Sequence, residues 1–274
     1  MDAPLLEVRD LEIAFPAGRG WSPVVRGVSL DIGRGEVVGL VGESGSGKTL
    51  TALALLGLVP PPGRVTAGGV RLAGADPASA AVDLLRLDAR GWTAVRGARI
   101  GFVFQEPATA FNPVYSIGFQ IAEAVRAHRR LPRRAAREEA ARLLDRVALA
   151  DARRRLDDYP HQLSGGQRQR AMIAMALAGG PDLLLADEPT TALDVTLQAQ
   201  ILELLDELRR DLGLAVLLIT HDLGVVAETC DRVVVMHAGR VVETAAVGEL
   251  FRAPVHPYTR ELLAAAPRLV AEGP

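Results

Sequence analysis

Cysteine is all but missing from this chain: Cys230 stands alone among 274 residues. That excludes a disulfide framework or a cysteine metal cluster and fits a reducing compartment. Long apolar runs are missing as well, none approaching the ~20 residues of a membrane-spanning helix. There is no basic excess either. A formal net charge of −2 and a pI near 6.2 lack the electrostatic footprint of a nucleic-acid binder, so no nucleic-acid partner is expected. The segment Met1-Asp2-Ala3-Pro4-Leu5-Leu6-Glu7 has neither a basic n-region nor a long apolar h-region, so no signal peptide is expected. These absences predict a chain soluble by itself, with any membrane role exercised through a partner. What is present is a 49% hydrophobic content, enough for one large domain or one domain with a lobe.

The stretch that organises the rest is Gly42-Glu43-Ser44-Gly45-Ser46-Gly47-Lys48-Thr49, which fits G-x-x-x-x-G-K-[ST]. Its glycines let successive backbone N–H groups turn inward to form an anion-binding concavity that side chains would crowd. Lys48 can reach the β/γ-phosphates of a nucleoside triphosphate, and the Thr49 hydroxyl can ligate Mg²⁺. Glu36 to Val41 reads as a short buried strand entering the loop. Leu50, Leu53, Ala54 and Leu58 recur at helical spacing after it.

Upstream, residues 5–15 and Val24 to Ile32 have strand character and suggest a small sheet laid against the nucleotide core. Phe15 can stack on an adenine face or serve as a core or hairpin aromatic. After the Pro60-Pro61-Pro62-Gly63 stop come short strand-like pieces, Val70 to Leu72 and Arg99 to Gly101, around a predicted surface loop near 75–82. Phe102-Val103-Phe104 then runs as an apolar strand to Gln105. From about 117 to 178 the pattern turns helical, with Ala140, Leu143, Leu144 and Val147 inward on one amphipathic helix. Arg129, Arg130, Arg133, Arg134 and Arg137 read as a solvated helix face. Leu183 to Ala186 and Leu214 to Ile219 are continuous apolar runs that suit parallel strands covered on both faces. Strand–helix alternation of this kind implies an α/β core with a mostly parallel sheet.

In open parallel sheets, ligands sit beyond the carboxyl ends of the strands. Here those ends deliver the phosphate loop, Gln105, Asp187-Glu188 and His221. Asp187 is placed to hold Mg²⁺, and Glu188 is the natural general base for an attacking water, a role worth ~10²–10⁴-fold in rate. Gln105 can orient water or ligate the metal, and His221 can contact the γ-phosphate.

With Leu163-Ser164-Gly165-Gly166-Gln167 standing ahead of a helix, and Ala192-Leu193-Asp194 following the Asp-Glu strand end, the ordered motifs resemble the ATP-binding cassette (ABC) ATPases over about residues 5–260. The resemblance implies a P-loop (RecA-like) α/β core, a small antiparallel β subdomain and an α-helical signature subdomain. It implies one ATPase domain over 5–258, its helical part about 106–180, and a tail over 259–274. It also implies that Ser164, Gly165, Gly166 and Gln167 contact ATP bound by an opposite protomer, with Asp194 beside them. One phosphate loop and one signature then require a second cassette, homomeric or paralogous.

Finer motifs are similar to those of the oligopeptide/dipeptide/nickel importer ATPases: Gln105-Glu106-Pro107, Phe111-Asn112-Pro113-Val114, Tyr159-Pro160-His161-Gln162, Asp194 to Gln200, and His256-Pro257-Tyr258-Thr259. That resemblance implies Mg²⁺-dependent ATP hydrolysis energising import of peptides or a related solute such as nickel. Its partners are two membrane permease subunits and, indirectly, an extracytoplasmic binding protein, at the cytoplasmic membrane face. Many peptide-type members carry a C-terminal cysteine cluster; with Cys230 elsewhere, no iron–sulfur cluster is expected. A soluble ABC ATPase of translation or DNA repair is the alternative, although those usually carry paired cassettes or a long coiled-coil insertion.

Overall fold

A computed structural model describes residues 3–75, 79–191 and 193–265. Ala192, part of the 75–82 segment and most of the tail from 259 lie outside the described residues. The chain divides into two compact units, Met1–Leu87 with Ala215–Pro274, and Asp88–Leu214. In chain order the first half runs β1 (Leu6–Ala17), β2 (Gly20–Ile32), β3 (Val37–Val41), α1 (Lys48–Ala54), β4 (Arg64–Leu72), β5 (Val82–Asp83), α2 (Ala89–Val95) and β6 (Ile100–Val103). Helices follow: α3 (Pro107–Ala110), α4 (Ile117–His128), α5 (Arg133–Arg146), α6 (Ala152–Arg155) and α7 (Gly165–Ala176). The remainder is β7 (Leu183–Asp187), α8 (Val195–Leu212), β8 (Ala215–Thr220), α9 (Leu223–Thr229), β9 (Arg232–His237), β10 (Arg240–Ala246), α10 (Val247–Arg252) and α11 (Pro257–Ala265).

In the first unit, β2, β1, β4 and β5 form an antiparallel sheet in that order. Alternation along β1, interrupted by a bulge between Val8 and Leu11 where Asp10 turns to φ +46, buries Leu6, Val8, Leu11 and Ile13 against Ile32, Leu30, Val28 and Val25 of β2. A second group of strands has β3 at its centre, parallel to β8 on one side and β9 on the other, with β10 antiparallel on β9. Every residue of β3 and β8 is buried, which explains their unbroken apolar runs. Gly39 of β3 is where Cys230 packs, and burial pushes that thiol up to about 12. Val41, Val226, Val233, Val235, Leu250 and Tyr258 make a core cluster into which α9, α10 and α11 pack.

At the amino ends of these parallel strands Arg232 is held by three carboxylate oxygens. Its Nε donates to Glu36 (2.8 Å), and its Nη2 donates to Glu36 and Asp31 (both 3.1 Å) and to the Asp31 carbonyl (2.7 Å). Burial alone would raise the Glu36 carboxyl, but the hydrogen bonds from Arg232 and the Gly33 N–H, with the guanidinium charge, hold it below its ordinary value.

In the second unit β6 runs parallel to β7, with Val103 opposite Ala186. The helices α3 to α7 are inserted between these strands in sequence, and α4, α5 and α7 pack on one another through Ile117, Ile121, Val125, Ala140, Leu143 and Leu144. The arginine cluster is solvated and paired: Arg129, at the end of α4, meets Glu139 of α5, and Arg137 of α5 meets Asp157. The α/β class, the small antiparallel sheet and the helical region agree with expectation.

Two local readings change. The pieces Arg99–Gly101 and Phe102–Phe104 form one strand that stops at Val103; Phe104 lies beyond it, 41% exposed, with its ring edge-on to Phe102. The helix after the phosphate loop ends at Ala54, and Leu58 is 40% exposed instead of on its inner face. Gly57 turns left-handed (φ +61) and the Leu58 N–H returns to the Leu53 carbonyl, closing the helix before Leu58 can join its buried stripe.

Candidate functional site: a phosphate loop and a carboxylate rim

The first unit supplies the loop. β3 delivers Gly42 at φ +150, where an added Cβ would lie 2.1 Å from the Met236 carbonyl, so only glycine fits. Gly45 and Gly47 are also left-handed, and Gly47 abuts Val25 of β2. Lys48 is buried (5% exposed), and its Nζ donates to the carbonyls of Gly42 (2.7 Å) and Glu43 (2.9 Å). Glu43 and Ser44 lie at the exposed turn, and Thr49 is exposed one residue into α1. The Ser46 hydroxyl is buried and has no hydrogen-bond partner. An orphaned hydroxyl inside a glycine cradle beside a buried ammonium fits a bound phosphate chain, which would accept from both.

The parallel register adds His221. Val41 pairs with Thr220, so the residue following each strand, Gly42 and His221, emerges side by side. His221 is exposed, and the next residue, Asp222, caps α9 by accepting from the N–H groups of Gly224 and Val225. Phe15 is half-buried near the end of β1. An added Cβ on Gly63 would lie 2.4 Å from the Phe15 ring tip, so the ring packs onto the Gly63 backbone. Nearby, Arg64, the first residue of β4, lies 3.8 Å over the ring of Trp21 in β2.

The second unit supplies the carboxylates. Because Val103 is opposite Ala186, Gln105 and Glu188 each stand two residues past a paired position, and the structure brings them together: Gln105 Nε2 donates to Glu188 Oε2 at 3.0 Å. Thr191 Oγ1 donates to the same oxygen at 2.9 Å. Glu188 has φ +45, a conformation rare for a side-chain-bearing residue and frequent at functional turns. Asp187, the last residue of β7, is 3% exposed. Its carboxylate, the Thr49 hydroxyl and the Gln105 amide oxygen are hard oxygen donors of the type Mg²⁺ takes.

Ser164 and Asp194 have a local duty that the motif reading left out. Ser164 Oγ accepts from the Gln167 N–H (3.3 Å), while the Gln167 side chain accepts from the Ser164 N–H (2.9 Å), a reciprocal cap on α7. Asp194 caps α8 by accepting from the Leu197 N–H at 3.0 Å. Ser164 and Gly165 are exposed at the helix tip, and Gly166 packs on Leu197. The Ser-x-x-Gln spacing was itself a signal for this cap. Thr191 and Tyr258 were not singled out as site residues. Tyr258 Oη accepts from the Glu43 N–H at 3.0 Å, a partner with no sequence signal because it lies 215 residues away.

A strand–glycine loop–helix unit with a buried lysine, in an α/β fold with carboxylates at the ends of parallel strands, defines a P-loop nucleoside-triphosphatase. The ABC transporter family model matches residues 25–191. A probable peptide ABC transporter ATP-binding protein of Sinorhizobium fredii is 52% identical over 96% of this chain and 77% of its own length. The glutathione import ATP-binding protein GsiA of Pectobacterium atrosepticum is 52% identical over 97% of this chain, which spans 42% of that longer protein. Among solved structures, the dimeric post-hydrolysis ATP-binding cassette MJ0796, bound to ADP and Pi, superposes with a TM-score of 0.76 at 30% identity, covering 88% of this chain and 98% of that one. CbiO1 of Clostridium perfringens, part of the CbiONQ transporter complex, gives 0.76 at 27% identity over 92% of each chain. This chain belongs to the ABC transporter family.

Proposed function

We propose that this chain is the ATP-hydrolysing subunit of a membrane importer for peptides or a related small solute. The observation that carries the reading is Glu188, a carboxylate at the end of β7 whose Oε2 is held by Gln105 and Thr191 beside the buried Asp187. A carboxylate so held can take a proton from water without leaving its place. Lys48, Ser46 and the loop N–H groups of 42–49 would bind the triphosphate, and Phe15 would meet the base. Thr49, Asp187 and Gln105 would hold Mg²⁺, which when bound neutralises phosphate charge. His221 would contact the γ-phosphate.

The relatives named for peptide and glutathione import support the solute class, and nickel is the related option. The dimeric neighbour supports pairing of two cassettes. In that pair Ser164, Gly165, Gly166, Gln167 and Asp194 of each copy would face the other's ATP. The single ATPase domain would span 5–258, with about 106–180 helical and 259–274 as its tail. Among the described residues no helix is long and apolar enough to cross a membrane. Membrane attachment would therefore come through permease subunits at the cytoplasmic face, fed by an extracytoplasmic binding protein.

The test is phosphate release and nucleotide titration on the full chain and its Lys48→Ala variant, followed by identification of proteins that co-purify with it from membranes. Lys48→Ala should weaken ATP binding at least about tenfold and bring phosphate release to background, since it deletes a buried charge-assisted contact. Equal binding by both proteins would refute the site, and co-purification without permease subunits would refute the importer.

A further inference from the structure

The geometry points to Tyr258 as a positioning residue for the triphosphate, acting through the first peptide unit of the phosphate loop. The inference rests on the reading of residues 42–49 as the ATP loop. The peptide joining Gly42 to Glu43 is gripped at both poles. Its carbonyl accepts from Lys48 Nζ at 2.7 Å, and its N–H donates to Tyr258 Oη at 3.0 Å. Gly42 has no side chain to fix this peptide's orientation, and its φ of +150 lies outside the usual wells, so these two bonds set the plane. The orientation matters because the Gly42 carbonyl is one of the acceptors that aim the Lys48 ammonium.

Tyr258 is itself rigidly placed. It is 7% exposed, its ring centroid lies 4.0 Å from that of His237, and it belongs to the core cluster with Val41, the residue immediately before the loop. The turn leading into α11 is tied to β10, where the Glu243 carboxylate accepts from the N–H groups of Val255 (2.8 Å) and His256 (2.9 Å). His256 Nδ1 then accepts from the Tyr258 N–H at 3.2 Å. The His-Pro-Tyr-Thr segment is therefore a strut running from β10 to the loop, ending in one hydroxyl. Burial, together with the Glu43 charge and against the hydrogen bond from its N–H, keeps the phenol above its ordinary pKa and so neutral at physiological pH.

Tyr258→Phe removes that hydroxyl and keeps the ring. ATP affinity and hydrolysis kinetics would be measured on the full chain, with Lys48→Ala alongside and a thermal melt without nucleotide. Losing one neutral hydrogen bond at the loop should raise the Kd and KM for ATP about 3–10-fold, with kcat within about twofold and the melting temperature nearly unchanged. Unchanged Kd and KM would overturn the inference, whether or not the melting temperature falls, because Tyr258 would then be a packing residue only. A fall in kcat with KM unchanged would overturn it too. If Lys48→Ala binds ATP as wild type does, the loop reading fails. If Lys48→Ala is defective and Tyr258→Phe is not, only the strut fails.

Discussion

Glu188→Gln separates the chemistry from the scaffold. Both donors, Gln105 Nε2 at 3.0 Å and Thr191 Oγ1 at 2.9 Å, converge on one oxygen, Oε2. A glutamine that places its amide oxygen there keeps both bonds. Each changes from charge-assisted to neutral, a difference of about 1 kcal/mol, reduced further because the half-exposed group is also solvated. Folding stability should therefore move by less than about 2 kcal/mol for the two bonds together, and ATP binding should persist. The amide cannot accept a proton, so turnover should fall ~10²–10⁴-fold, equivalent to about 3–5 kcal/mol of barrier. Single-turnover phosphate release with protein in excess over ATP measures the chemical step, while a nucleotide titration and a melt measure the rest. Turnover within about threefold of wild type would remove Glu188 as the base. Loss of binding together with turnover would show that the carboxylate holds the site's shape, and would refute the isosteric argument.

Arg232→Ala removes the donors to Glu36 and Asp31 and should cost about 2 kcal/mol, roughly 4–8 °C in melting temperature for a chain of this size. Because Glu36 is held below its ordinary 4.5, the stability it contributes is present above that value and fades as pH drops through the lower folded value. Wild type should lose stability through that acid window more steeply than Arg232→Ala, and parallel melting curves against pH would count against the network. Gly42→Ala forces a Cβ onto the Met236 carbonyl at 2.1 Å and should abolish measurable ATP binding in an equilibrium titration. A wild-type affinity in that variant would mean the loop backbone is free to shift.

What was legible in the sequence was local. β3, β7 and β8 announced themselves as apolar runs because both faces of each are buried, and the polar residues at their ends marked the rim. The glycine spacing of 42–49 carries its own mechanism, so the loop needed no tertiary information. The contact between Gln105 and Glu188 was out of reach, because it depends on the register of strands 83 residues apart. The grip of Tyr258 on the loop was equally hidden, since it joins residues 215 apart in sequence. The overestimate of α1 has a simple cause. Leu58 satisfied helical spacing, but the left-handed Gly57 had already turned the chain.

The packing of α11 bears on how the protein can be trimmed. Tyr258 fills the interior next to Val41, with Leu262 and Leu263 against the same cluster. A shortened version that stops after β10 would leave a cavity behind the strand that feeds the glycine loop. Deletion series and fusion junctions therefore belong beyond Leu263, and a nucleotide-binding defect in anything shorter would report a hollowed core rather than a missing regulatory tail.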